Sequence, residues 1–167
     1  MPMTSSGNAK VTLPADDQIL VTREFDAPKH LVYKAFTTPE LVKRWWHANR
    51  GEMTVAEIDL RVGGRWRYAM RTQDGTEVAF HGEYREIVPN ERIVSTETFE
   101  GLPEGVSEED GTTVNTATFA EQDGRTTLTL LIQAPSKVTR DAIVDSGMEA
   151  GLQDALDNLE QVAVSLG

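Results

Sequence analysis

The sequence predicts an α+β domain. A strongly curved antiparallel sheet of six to seven strands wraps a long C-terminal helix, and two short helices close one end of the sheet. Three observations carry this. Two proline-started helical stretches follow directly on the first clear strand. From residue 52 to residue 133 the apolar pattern has period two, with no helix alternating between the strands, which excludes a doubly wound parallel sheet. The C-terminal residues then repeat apolar positions every three or four.

The elements follow in order. Gln18–Phe25 carries Ile19, Leu20, Val21 and Phe25 among polar residues and reads as a strand, with Lys10 to Leu13 extending or preceding it. Asp26 and Pro28 predict a capped helix start, and Leu31, Val32, Ala35 and Phe36 recur at helical spacing. Thr38-Pro39-Glu40 repeats the signal before Leu41, Val42, Trp45 and Trp46, the apolar stripe of a second short helix. Residues 53–60 form a strand, and Gly63-Gly64 a turn or bulge. In residues 65–71, Trp66, Tyr68 and Met70 share one face, while Arg65, Arg67 and Arg71 share the other. Gln73-Asp74-Gly75 turns into a strand whose buried parity is Val78, Phe80, Gly82 and Tyr84. Pro89-Asn90 turns into Arg92–Phe99. Residues 100–111 read as a mobile acidic loop with Glu104, Glu108, Glu109 and Asp110. Residues 113–120 and Arg125–Gln133 form a hairpin about Asp123-Gly124, and Ser136 caps a final helix over 137–165.

The chain has 167 residues and a net charge of −11. That length supports one cored domain, expected over 16–167, after a tail (1–15) that is partly ordered at most. The acidity argues against nucleic-acid binding and against docking on anionic membrane. There are no cysteines, so disulfides, thiolate metal sites and cysteine nucleophiles are excluded. No apolar run reaches the ~18 residues of a membrane span, and residues 1–10 hold no secretory h-region. The expected compartment is the cytoplasm.

The segments R-x-F-D-A-P, V-x-x-A-F-T-x-P-E-L-x-x-R-W-W, D-L-R-x-G-G-R-W-R and G-x-Y-x-E-I-x-P-x-E-R-I-V together resemble the activator of Hsp90 ATPase homolog 1-like family of the START-like, helix-grip (SRPBCC) superfamily. The resemblance runs from about Gln18 to Leu166. It implies a deep apolar cavity between sheet and C-terminal helix. Superfamily members bind lipids, hormones or polyketides there, and some are cyclases or hydrolases. In the eukaryotic co-chaperone such a domain follows a separate N-terminal one that nothing in this sequence resembles, so a chaperone partner is not expected. Many family members carry a Gly-Trp pair twice on the last helix; here the pairs read Gly147-Met148 and Gly151-Leu152.

The expected ligand-binding residues are Trp46, Trp66, Tyr68, Met70, Phe80, Tyr84, Glu97, Phe99, Met148 and Leu152. Trp45 reads as a core anchor. Trp46 and Trp66 stand between core and ligand contact. The parity of Glu97 is open: either Ile93, Glu97 and Phe99 face inward, or Val94, Thr96 and Thr98 do. Gly147, Gly151 and Ala155 share a helix face, for close packing or for ligand clearance. His30, His47 and His81 lack metal-site spacing, and His81 reads as a solvated partner of Glu83. Arg23, Arg61 and Arg65 read as surface ion pairs with acids such as Glu24 and Asp59. No catalytic residue, metal or cofactor is expected. The first reading is therefore a binding protein for a small apolar ligand. The alternatives are a cyclase- or hydrolase-type enzyme using a polar group in the cavity, and a chaperone-interacting module. Exposed sheet edges make a homodimer a reasonable expectation.

Overall fold

The computed structural model describes residues 9–102 and 104–167; the loose polar tail expected at residues 1–8 lies outside them. The strands are β1 (Lys10–Thr12), β2 (Gln18–Phe25), β3 (Gly51–Ile58), β4 (Arg65–Thr72), β5 (Glu77–Val88), β6 (Arg92–Phe99), β7 (Thr112–Gln122) and β8 (Arg125–Gln133). The helices are α1 (Lys29–Thr37), α2 (Pro39–Val42), α3 (Lys137–Asp145) and α4 (Met148–Ser165). All strands join one antiparallel sheet in the order β1-β2-β8-β7-β6-β5-β4-β3. The eighth strand is β1, three residues of the expected tail that pair with β2.

Each turn has a local cause. Asp123 and Gly124 both have positive φ (55° and 78°), as a two-residue hairpin loop requires. Register shifts between Met53 and Val55, and between Tyr84 and Glu86, bend the sheet. Because β2 sits near one edge and β3 at the other, α1 and α2 must span the concave side to connect them. There α1 packs against α4, whose Asp157 and Glu160 reach Arg23 on the inner face of β2.

Several local expectations are corrected. The final helix is two helices: Gly147 adopts the left-handed conformation (φ 84°), which ends α3 and opens α4 at an angle that a continuous helix forbids. Ser136 does cap α3, its hydroxyl accepting from the Thr139 N–H. Asp26 caps nothing. Helix α1 begins after extended Pro28, and the Asp26 backbone N–H donates to Glu160 Oε2 at 2.9 Å. Helix α2 has only four residues, so Trp45 and Trp46 lie in the turns after it.

The core is lopsided. Ile19, Val21 and Phe25 of β2, Leu128 of β8, Phe119 of β7, Val32 and Ala35 of α1, and Leu156 and Leu159 of α4 are sealed from solvent. On α4 the buried residues are Ala155, Leu156, Leu159, Glu160, Val162 and Ala163; its first two turns hold none. Among the described residues no helix is long and apolar enough to cross a membrane.

Candidate functional site

The strand registers place Trp66, Tyr68 and Met70 of β4 opposite Gly82, Phe80 and Val78 of β5. Phe80 in turn pairs with Phe99 of β6, and Tyr84 with Ser95. These side chains share the concave face. Their rings form a connected wall: Trp66 and Tyr68 have centroids 4.8 Å apart, Phe80 and Phe99 5.1 Å, and Trp46 reaches from the α2 turns onto Tyr68 (5.6 Å) and Phe80 (5.7 Å). Gly82 makes the wall possible. A Cβ there would lie 1.8 Å from the Thr96 carbonyl oxygen and 2.5 Å from Trp66 Nε1. Without it the Trp66 indole lies over β5 and donates to that carbonyl at 3.1 Å.

Glu97 faces inward with Ile93, Ser95 and Phe99, which resolves its open parity. Its Oε1 accepts from Asn115 Nδ2 at 2.6 Å, and Asn115 Oδ1 accepts from the Thr113 hydroxyl at 2.9 Å. Among the described residues the Asn115 amide is the one hydrogen-bond donor to this carboxyl. Its second oxygen is also not among the buried polar atoms cut off from solvent. Burial raises the Glu97 carboxyl above its ordinary value, and the Asn115 hydrogen bond only partly offsets this. Burial likewise holds Tyr68 and Tyr84 protonated far into the alkaline range, and the neighbouring Tyr84 and Glu97 charges add to the effect on Tyr68.

Trp46, Met70, Phe80, Met148 and Leu152 are only half-buried, and Phe99 is 36% exposed. Gly151 shares a helix face with buried Ala155, yet a Cβ on it would meet nothing within 4 Å. Close packing therefore does not explain this glycine. Trp45 is a core anchor: buried, stacked on Phe36, and donating from Nε1 to the Ala35 carbonyl at 2.9 Å. Two surface hollows, of about 310 and 260 Å³, are present, the larger one reaching the wall only at Phe99. One is lined by His81, Phe99, Glu100, Leu102 and Glu108, the other by Asn49, Glu52 and Arg71.

Two charged groups differ from expectation. Arg23 is buried, not at the surface. It sits on the inner parity of β2, 2.8 Å from Asp157 and 3.0 Å from Glu160 of α4, with its guanidinium over the Phe25 ring. His81 does point outward, but its partners are Glu100 (3.0 Å) and Glu108 (3.8 Å), not Glu83. Arg67 also binds Glu100 through two hydrogen bonds, and together with His81 it holds that carboxyl at about 2. Arg61 pairs with Asp59 at 2.8 Å, as its spacing suggested. Asn115 and Thr113 were missed. Their signal was an amide and a hydroxyl on the same strand parity as Ala117 and Phe119.

The family described as "Activator of Hsp90 ATPase homolog 1-like protein" matches residues 26–163. The chain belongs to this family. No curated protein matches it. Solved structures resemble the AHSA1-like chain across almost its whole length. A Rhodobacter sphaeroides protein superposes with TM-score 0.84 at 20% identity, covering 94% of this chain and 99% of that one. A Mycobacterium smegmatis protein does so with TM-score 0.81 at 24% identity, covering 93% and 96%. A Chromobacterium violaceum protein has TM-score 0.76 at 29% identity, covering 89% and 98%. The helix-grip fold is thus shared. The AHSA1-like domain has no group of three or more His, Cys, Asp or Glu among its described residues that could hold a metal ion.

Proposed function

We propose that this AHSA1-like domain binds a small, largely apolar ligand between the β4–β6 wall and the first turns of α4. The observation that carries the reading is Glu97. An acid on the concave face, raised by burial, bonded by one neutral amide and with its second oxygen not cut off from solvent, is a polar group set into an apolar wall. The wall supplies apolar area and Glu97 a single orienting group, which is the usual make-up of a small-molecule site. The half-buried state of Trp46, Met70, Phe80, Met148 and Leu152 supports the same placement, as does the open space at Gly151. No step here requires catalysis, and a cytoplasmic setting remains the expectation from the cysteine-free composition.

Titration with the neutral dye Nile red, followed by its emission, tests this. Saturable binding that Gly151→Phe abolishes, with the variant still folded by circular dichroism, is the expected result. Binding that is absent, or unchanged in Gly151→Phe, would refute the site.

A further inference from the structure

We propose that the ligand is an amphiphilic amine: an apolar body carrying one protonated nitrogen, which Glu97 receives. This rests on the binding site proposed above and specifies what fills it.

The argument begins with the hydrogen-bond chain. The Thr113 hydroxyl donates to Asn115 Oδ1 (2.9 Å), which fixes the amide so that Nδ2 donates to Glu97 Oε1 (2.6 Å). The chain delivers a donor to one oxygen and leaves the other an open acceptor. Of three possible ligand head groups, only a cation both donates to that oxygen and neutralises the carboxylate. A neutral head group leaves the charge uncompensated. An anionic head group places like charges together at low dielectric.

The surroundings supply no cation for an anionic ligand. Among the described residues the sheet's inner parity carries one, Arg23, and its charge is met by Asp157 and Glu160. Arg65, Arg67 and Arg71 of β4 point to the opposite face, where Arg67 pairs with Glu100. The remaining neighbours are rings. Trp66, Tyr68, Trp46, Phe80 and Phe99 form a chain of rings whose successive centroids lie 4.8–5.7 Å apart, and ring faces attract a cation that has been stripped of water. The net charge of −11 raises the local concentration of cations and lowers that of anions.

Three probes of matched shape test this by calorimetry at pH 8: 1-naphthylmethylamine, 1-naphthalenemethanol and 1-naphthoate. The amine is expected to bind at least about tenfold tighter than the alcohol, and the acid weakest. Glu97→Gln is expected to remove the amine's advantage over the alcohol. Glu57→Gln, which removes an acid from the opposite parity of β3, is expected to leave both unchanged. If the alcohol binds as well as the amine, or the acid binds best, the amine assignment is wrong and the apolar site stands. If Glu57→Gln removes the preference as fully as Glu97→Gln, the preference is diffuse electrostatics and the assignment is wrong. If none of the three binds, the site itself is refuted along with the inference.

Discussion

Arg23 and Glu97 are both charged residues on the concave face, and the fold treats them in opposite ways. Arg23 lies in the closed half, among Ile19, Val21, Phe25 and the sealed second half of α4, and two carboxylates meet it. Glu97 lies on β6 among the aromatic wall, only half-buried, and one neutral amide meets it. A buried charge met by opposite charges holds elements in register, because removing either side strands the other. A half-buried charge met only by a neutral amide locks no elements together and suits a role outside the fold. The contrast separates the β2 side of the sheet, which seats α4, from the β4–β6 wall.

The largest expected effect tests the closed half. Arg23→Met leaves Asp157 and Glu160 without their cation and should cost about 3–5 kcal/mol in urea unfolding; a loss under ~1 kcal/mol would erase the distinction. Next, Gly82→Ala drives a methyl into the Thr96 carbonyl and the Trp66 indole. A cost of about 1–3 kcal/mol is expected, with a red shift of tryptophan emission as Trp66 leaves its buried place.

The β4–β6 wall predicts a gain. Glu97 has a raised carboxyl in the fold, so its contribution to stability is fully present below the ordinary carboxylate range and is lost as pH rises through the raised value. Glu97→Gln should therefore match the parent near pH 4 and exceed it at pH 8 in thermal melting. A lower melting temperature at pH 8 would show that Glu97 is structurally paired after all. Gly151→Ala should add up to ~1 kcal/mol of helix stability, since nothing obstructs the methyl; a destabilised variant would mean the helix face is packed. The smallest effect belongs to the outer face. Glu100 is held at about 2 by Arg67 and His81, so its contribution is present above the ordinary 4.5 and fades as pH falls towards 2. Being partly exposed, the cluster is worth about 1 kcal/mol or less, and Glu100→Gln should flatten only that acid limb.

Much of the β4–β6 wall was legible in the residues. The alternation of Trp66, Tyr68 and Met70, and of Phe80, Gly82 and Tyr84, placed the wall on one face before any coordinates, because strand parity is a local property. Glu97 was named, but its parity was ambiguous: Val94, Thr96 and Thr98 alternate with it and suit a strand equally well. Arg23 was misjudged although it shares parity with Ile19, Val21 and Phe25; an arginine on an apolar face was itself the signal. Its partners were unreadable because they come from the far end of the chain. The break at Gly147 was hidden for a different reason: apolar spacing continues across it, and a glycine within a helical pattern does not declare its φ.

The sequence alone determined the curved antiparallel sheet, the helical insertion after the first long strand, a helical C-terminal segment and the family, all of which follow from periodicity, turn residues and dispersed motifs. The tertiary structure decided which charges are satisfied. Whether Arg23 meets two acids and Glu97 none depends on where α4 crosses the sheet, and that crossing is set by packing between residues more than a hundred positions apart. No local pattern encodes it.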